Sequence, residues 1–125
     1  MPVLPSATVP DRVNNWTSAD LAERLGGNRT LAHELIAIFL LEYPSLLQSI
    51  RASADRQDRE AISRSAHAMK GTLANFIDSG PTVTARALER AAAEARLADV
   101  PALVDQLEGE IQALAAVMRR QTGAR

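Results

Sequence analysis

The stretch Ser63-Arg64-Ser65-Ala66-His67-Ala68-Met69-Lys70-Gly71-Thr72 decides how this chain is read. Ile62, Ala66, Met69, Leu73 and Phe76 recur at alternating steps of four and three, which puts them in one stripe along a helix. At about 100° per residue, His67 lies about 140° from the middle of that stripe and Gly71 about 180° from it. The imidazole therefore faces solvent, and Gly71 leaves the surface bare one turn further on. Lys70 falls between them, roughly 80° from the stripe, near enough to serve something held at His67. A glycine inside a helix costs about 1 kcal/mol relative to alanine, so its place beside an exposed histidine asks for a reason. Close approach of another molecule is such a reason, and this face is the expected working site.

Around that helix, 125 residues with 46% hydrophobic side chains suit one domain with a single core. Only four aromatic residues are present (Phe 2, Trp 1, Tyr 1), so aliphatic side chains and alanine must fill it. A formal net charge of −1 gives no support to nucleic-acid or anionic-membrane binding. The absence of cysteine excludes disulfides and thiol chemistry and is compatible with the cytoplasm. The longest unbroken apolar run, Leu35 to Leu41, is far too short to cross a bilayer, and residues 1–10 lack the pattern of a secretory signal.

Residues 1–14 carry Pro2, Pro5 and Pro10 and read as a tail or linker, residues 15–120 as a helical bundle, and residues 121–125 as a frayed end. Trp16 is expected to plug the core at the entry of a short helix, capped by Thr17 or Ser18 and ended by Gly26-Gly27. Asn28 caps a second helix with Leu31, Leu35, Ile38 and Phe39 at helical spacing. Its solid apolar run implies contact on more than one side. Pro44 must kink or break that element, leaving one long helix or two. Asp58 caps the helix of His67, which should finish near Asp78-Ser79-Gly80. Pro81 opens a fourth helix behind Gly80 or Ser79, with Ala87, Leu88, Ala91 and Ala95 on its inner face. Asp99 and Pro101 start a fifth, whose stripe is Val104, Leu107, Ile111, Leu114 and Met118, with Gly109 marking a tight contact. Short joints make the long helices antiparallel. The fold class is all-α: an up-and-down antiparallel four-helix bundle with a short additional N-terminal helix.

An exposed histidine is usually just solvated, so the chemistry must be argued. His33 is the only other histidine, and no His-x-x-x-His or Glu-x-x-His pair exists, which argues against a metal site. Ser63, one turn before His67, can touch it, but a helix interior has no free N–H groups with which to build an oxyanion hole. Phosphoryl acceptance fits better. Neutral imidazole is a competent nucleophile near neutral pH, its unperturbed pKa being about 6.5. A cation such as Lys70 would stabilise the charge spread over the transferred oxygens. Gly71 would let a donor's acidic, metal-bearing loop reach the ring. No carboxylate cluster surrounds His67 in the sequence, so Mg²⁺ is expected on the partner and no cofactor on this domain.

Ala66-His67-Ala68-Met69-Lys70-Gly71-Thr72 resembles the motif of histidine-containing phosphotransfer (HPt) domains, roughly A-H-x-L-K-G-S/A. Leu25-Gly26-Gly27-Asn28, then Phe39, Pro44, Leu47 and Ile50, follow that family's upstream pattern, and Leu88-Glu89 and Ala95-Arg96-x-Ala98-Asp99 its downstream one. Ile77-Asp78, Asn28 and Ala98 depart from it, at helix ends and caps. The resemblance implies a helical bundle whose His67 is phosphorylated on Nε2, with Lys70 as the neighbouring cation and Gly71 as clearance. It implies that Ser63, Arg64, Ala74 and Asn75 line a docking patch for receiver domains of response regulators, those of a hybrid sensor histidine kinase among them. The implied phosphoprotein is a monomeric, cytoplasmic phosphocarrier, or the cytoplasmic end of a membrane-bound kinase. It would relay phosphoryl groups in two-component signal transduction with no kinase or hydrolase activity of its own. The rival reading is a helical adaptor that docks receivers without phosphotransfer.

Overall fold

The computed structural model describes residues 13–123. Their elements are α1 (Ser18–Arg24), α2 (Arg29–Asp55), α3 (Arg59–Ala74), α4 (Pro81–Ala93), a single 3-10 turn (Leu97–Asp99) and α5 (Val100–Thr122), with no strand among the described residues. Helices α2 to α5 each pack on the next and α5 returns to α2, closing a four-helix bundle, while α1 lies against α2 and α5. Polar contacts fix the directions. Arg59 at the start of α3 donates to the Ala92 and Ala93 carbonyls at the end of α4, and Thr82 donates to the Ile77 carbonyl at the other end. Arg51 of α2 meets Asp105 of α5, whereas Tyr43 meets Arg119. Neighbouring helices are therefore antiparallel.

Three helices begin where side-chain oxygens can take up free N–H groups. Thr17, Asn28 and Asp58 accept from Asp20, Leu31 and Ala61 respectively, at 3.1, 2.9 and 3.1 Å. Asp99 stands before α5 but does not cap it, because its carboxylate is paired with Arg96 at 2.8 Å. Gly26 and Gly27 take positive φ after α1, where a side chain would be strained.

The core is aliphatic, with Ile36, Ile50, Ile62, Leu73, Leu88, Leu107, Ile111 and Leu114 almost completely enclosed. Phe39 stacks on Tyr43 and tilts against Phe76, with ring centroids 5.5 and 5.2 Å apart. Trp16 is buried, and its indole donates to the Phe76 carbonyl at 2.7 Å. Helix α2 is long and apolar enough to cross a membrane by length and composition alone, yet Ala32, Ile36, Phe39, Tyr43, Leu47 and Ile50 are spent on the bundle core.

Of the two outcomes left open at Pro44, the structure has the single long helix, α2 running from Arg29 to Asp55. The apolar run of α2 does lie in a helix with contacts on more than one side, to α1, α3 and α5, although Ile38 is half exposed and Leu41 is 82% exposed. Other expectations are corrected. Helix α3 stops at Ala74, before Asp78, because Phe76 and Ile77 turn into the core and Trp16 and Arg24 take up the Phe76 carbonyl. The inner face of α4 is rotated from the expected one. Ala85, Leu88, Ala91 and Ala92 are buried, Ala87 only partly, and Ala95 is exposed beyond the helix with φ 58°.

The expected tail over 1–14 lies outside the described residues up to position 12, but Val13 is fully buried. Of the end expected to fray over 121–125, residues 124–125 lie outside the described residues and position 121 is ordered in a helix. Helix α5 continues to Thr122, and Gln121 is held by Ser18 N–H and the Trp16 carbonyl. Gly109 marks no tight contact, for it is exposed and a Cβ there would meet nothing within 4 Å. Gly109→Ala should therefore raise unfolding stability by about 1 kcal/mol, read by urea denaturation.

Candidate functional site

Helix α3 sets the site by its phase. Ile62, Ala66, Met69 and Leu73 face inward and are buried, which turns His67 to the opposite side. The imidazole is 68% exposed, standing between the α3–α4 seam and open solvent. Gly71, one turn further on, is exposed, and a Cβ added to it would have nothing within 4 Å. The gap beside the ring is thus a real feature of the surface. Lys70 leans the other way, into the seam, and is half-buried.

Across the seam stands a residue to which the sequence reading gave no role. Glu89 of α4 reaches over so that one oxygen lies 2.9 Å from His67 Nδ1 and the other 2.8 Å from Lys70 Nζ. The Lys70 ammonium holds the Glu89 carboxyl below the usual carboxylate range. Partial burial opposes this, and the His67 hydrogen bond adds to it. An ionised carboxylate only accepts hydrogen bonds, so the ring nitrogen facing it must carry the proton. Nδ1–H donates to Glu89, and Nε2 of the neutral ring is left with its lone pair toward solvent. The antiparallel register of α3 and α4 brings these three side chains together, and no single helix contains that information.

The remaining candidates sit along the same face. Ser63 is half-buried one turn before His67 and makes no hydrogen bond to it; it borders a groove of about 600 Å³ with Glu60, Ala92 and Ala93. Arg64 is exposed on the α2 side of His67, where a smaller groove of about 240 Å³ also includes Ser49, Leu46 and Ala68. Ala74 and Asn75 are exposed at the end of α3, and the Asn75 carbonyl receives Arg24 at 3.3 Å. His33 lies exposed on α2. Among the described residues no three His, Cys, Asp or Glu side chains gather as a metal site would need.

A family model described as the Hpt domain matches residues 34–117, well over half of the chain. The chain belongs to the Hpt family. Hpt domains are helical bundles that serve phosphotransfer in phosphorelays and work with receiver domains of response regulators. No curated protein and no solved structure gave a match. The matched span of this Hpt domain contains α3 and α4 entire, and with them His67, Lys70, Gly71 and Glu89.

Proposed function

We propose that His67 accepts a phosphoryl group on Nε2 from a receiver-domain aspartate and passes it to a second receiver domain. The observation that carries this reading is an exposed imidazole whose Nδ1 is tied to Glu89, so that the nucleophilic nitrogen faces outward. The Nε2 lone pair forms the N–P bond while the acyl phosphate P–O bond breaks, and its electrons return to the aspartate carboxylate. No proton has to leave Nε2. The Nδ1 proton stays shared with Glu89, which steadies the positive charge that builds on the ring. Lys70 is positioned to turn from Glu89 to the incoming oxygens, and Gly71 admits the partner's loop. Glu89, the carboxylate bonded to His67, is already engaged with Lys70, and on this reading Mg²⁺ comes with the receiver. Ser63, Arg64, Ala74 and Asn75 line the docking face. The domain works as a monomer in the cytoplasm, and its partners include a receiver of a hybrid sensor kinase.

Incubation with a phosphorylated receiver domain should yield a base-stable, acid-labile adduct on this chain. Receiver binding without any adduct would favour the adaptor reading and overturn this one. Glu89→Ala should slow formation of the adduct by about fivefold to tenfold, the scale of one charge-assisted hydrogen bond at a partly exposed site. Glu89→Gln, whose amide oxygen still accepts from Nδ1–H, should lose less. Initial rates with one receiver donor decide both.

A further inference from the structure

The seam between α4 and α5 holds a polar cluster outside the His67 site. Glu110 of α5 is buried, with 9% of its surface exposed. Its Oε1 lies 2.5 Å from the Thr84 hydroxyl of α4, and its Oε2 is enclosed with no hydrogen-bond partner. The same hydroxyl is 3.3 Å from the Gly80 carbonyl and receives the Gln106 amide at 3.3 Å. A hydroxyl has one hydrogen to give. If Glu110 is ionised, Thr84 must spend that hydrogen on the carboxylate, and Oε2 is still left enclosed with no donor. If Glu110 is neutral, its own O–H donates to Thr84, and Thr84 donates to Gly80. The neutral acid satisfies more of the cluster.

Nothing charged works against that choice. From α4 the acid faces Thr84, and from its own helix Gln106. Arg51 of α2 is engaged with Asp105 and Glu108 on the other flank of α5, and Asp99 of the 3-10 turn with Arg96. From α1, the contact with α5 is Ser18 on Gln121, far along the helix. Burial pushes the Glu110 carboxyl above its usual range, against weaker opposing pulls from Thr84 and Gln106.

We propose that Glu110, Thr84 and Gln106 form a proton-dependent latch on the start of α4, and that through α4 the latch sets the reach of Glu89 to His67 and Lys70. Thr84 stands in the opening turns of α4 and Glu89 further along the same helix. Ala85, Leu88, Ala91 and Ala92 form one packed inner face of α4, so a change at its first turns is carried along a single element to Glu89. Glu110 is on this account a positioning residue acting through Glu89. The latch does not depend on phosphotransfer and goes beyond that reading. An acid that holds its proton more tightly folded than unfolded makes stability fall as pH rises from the unfolded carboxyl pKa, about 4.3, through the raised folded value.

The test is an NMR titration of the Glu110 side-chain carboxyl, of amide exchange over residues 82–86 and of the His67 ring nitrogens, in the native protein and in Glu110→Gln. Glu110 should titrate above the exposed glutamates. Over the same interval, opening at the start of α4 should rise by up to about tenfold per pH unit beyond ordinary base catalysis. The His67 Nδ1 signal should move with the same midpoint. In Glu110→Gln, whose amide keeps a donor on Thr84 at every pH, both steps should vanish. Ionisation of Glu110 together with the exposed glutamates would overturn the latch, as would persistence of both steps in Glu110→Gln. Failure of His67 to take up a phosphoryl group would remove the phosphotransfer reading and leave these signals as they are.

Discussion

His67→Gln should abolish phosphoryl labelling, from a phosphorylated receiver and from the small donor phosphoramidate alike. The expected fall is at least about a thousandfold, the scale on which loss of a covalent nucleophile is felt. The imidazole is 68% exposed and holds no part of the core, so unfolding stability should stay within about 0.5 kcal/mol of the native protein. The substitution leaves Lys70 and Glu89 in place, 2.8 Å apart. It therefore also tests whether the lysine amine can take the phosphoryl group instead. Receiver binding should persist, because the docking face is otherwise intact. Label retained on the Gln variant at more than a few per cent of the native level would remove His67 from the mechanism. Acid lability and base stability of the native adduct, followed by mass spectrometry of the peptide carrying His67, complete the assignment.

The parts of the site that could be read from the sequence all lie on one helix. The stripe Ile62, Ala66, Met69, Leu73 sets the phase of α3, and from it the outward His67, the half-covered Lys70 and the open Gly71 follow by periodicity. Glu89 could not be reached that way. It stands on α4, and its contact depends on the register between two helices, which no pattern within either one encodes. The alanine-rich face read for α4 is also displaced by roughly 50° from the observed one, at about 100° per residue. That error turns Glu89 further from α3 than it is. Alanine is a poor marker of phase, because it is at home on either side of a helix. Leu88-Glu89 does appear in the family pattern, and that was the one available signal.

Fold errors have a similar origin. The end of α3 depends on Trp16 and Arg24 claiming the Phe76 carbonyl from a distant part of the chain. Gly109 sits on a surface that local sequence cannot tell from a crowded contact. Caps, by contrast, act within three residues of themselves. Asn28 and Asp58 were legible for that reason.

Gly71 should respond in opposite directions to tests of stability and of transfer. Its backbone is helical and an added Cβ meets nothing, so Gly71→Ala should raise unfolding stability by about 1 kcal/mol, or roughly 4 °C in Tm. A longer side chain is a different matter. Side chains on a helix lean toward its N-terminus, so a residue at position 71 projects back over the turn that carries His67. Gly71→Gln should keep most of the stability gain yet lower the rate from a receiver donor by about a hundredfold, some 2.7 kcal/mol of lost approach. Phosphoramidate is small enough to pass the side chain, and its rate should change by less than about threefold. The contrast between the two donors separates clearance from chemistry. Equal losses with both would mean that the glutamine disturbs the imidazole itself. No loss with either would mean that the gap beside His67 has no part in admitting a partner, and the conformational cost of glycine in this helix would then stand without a function.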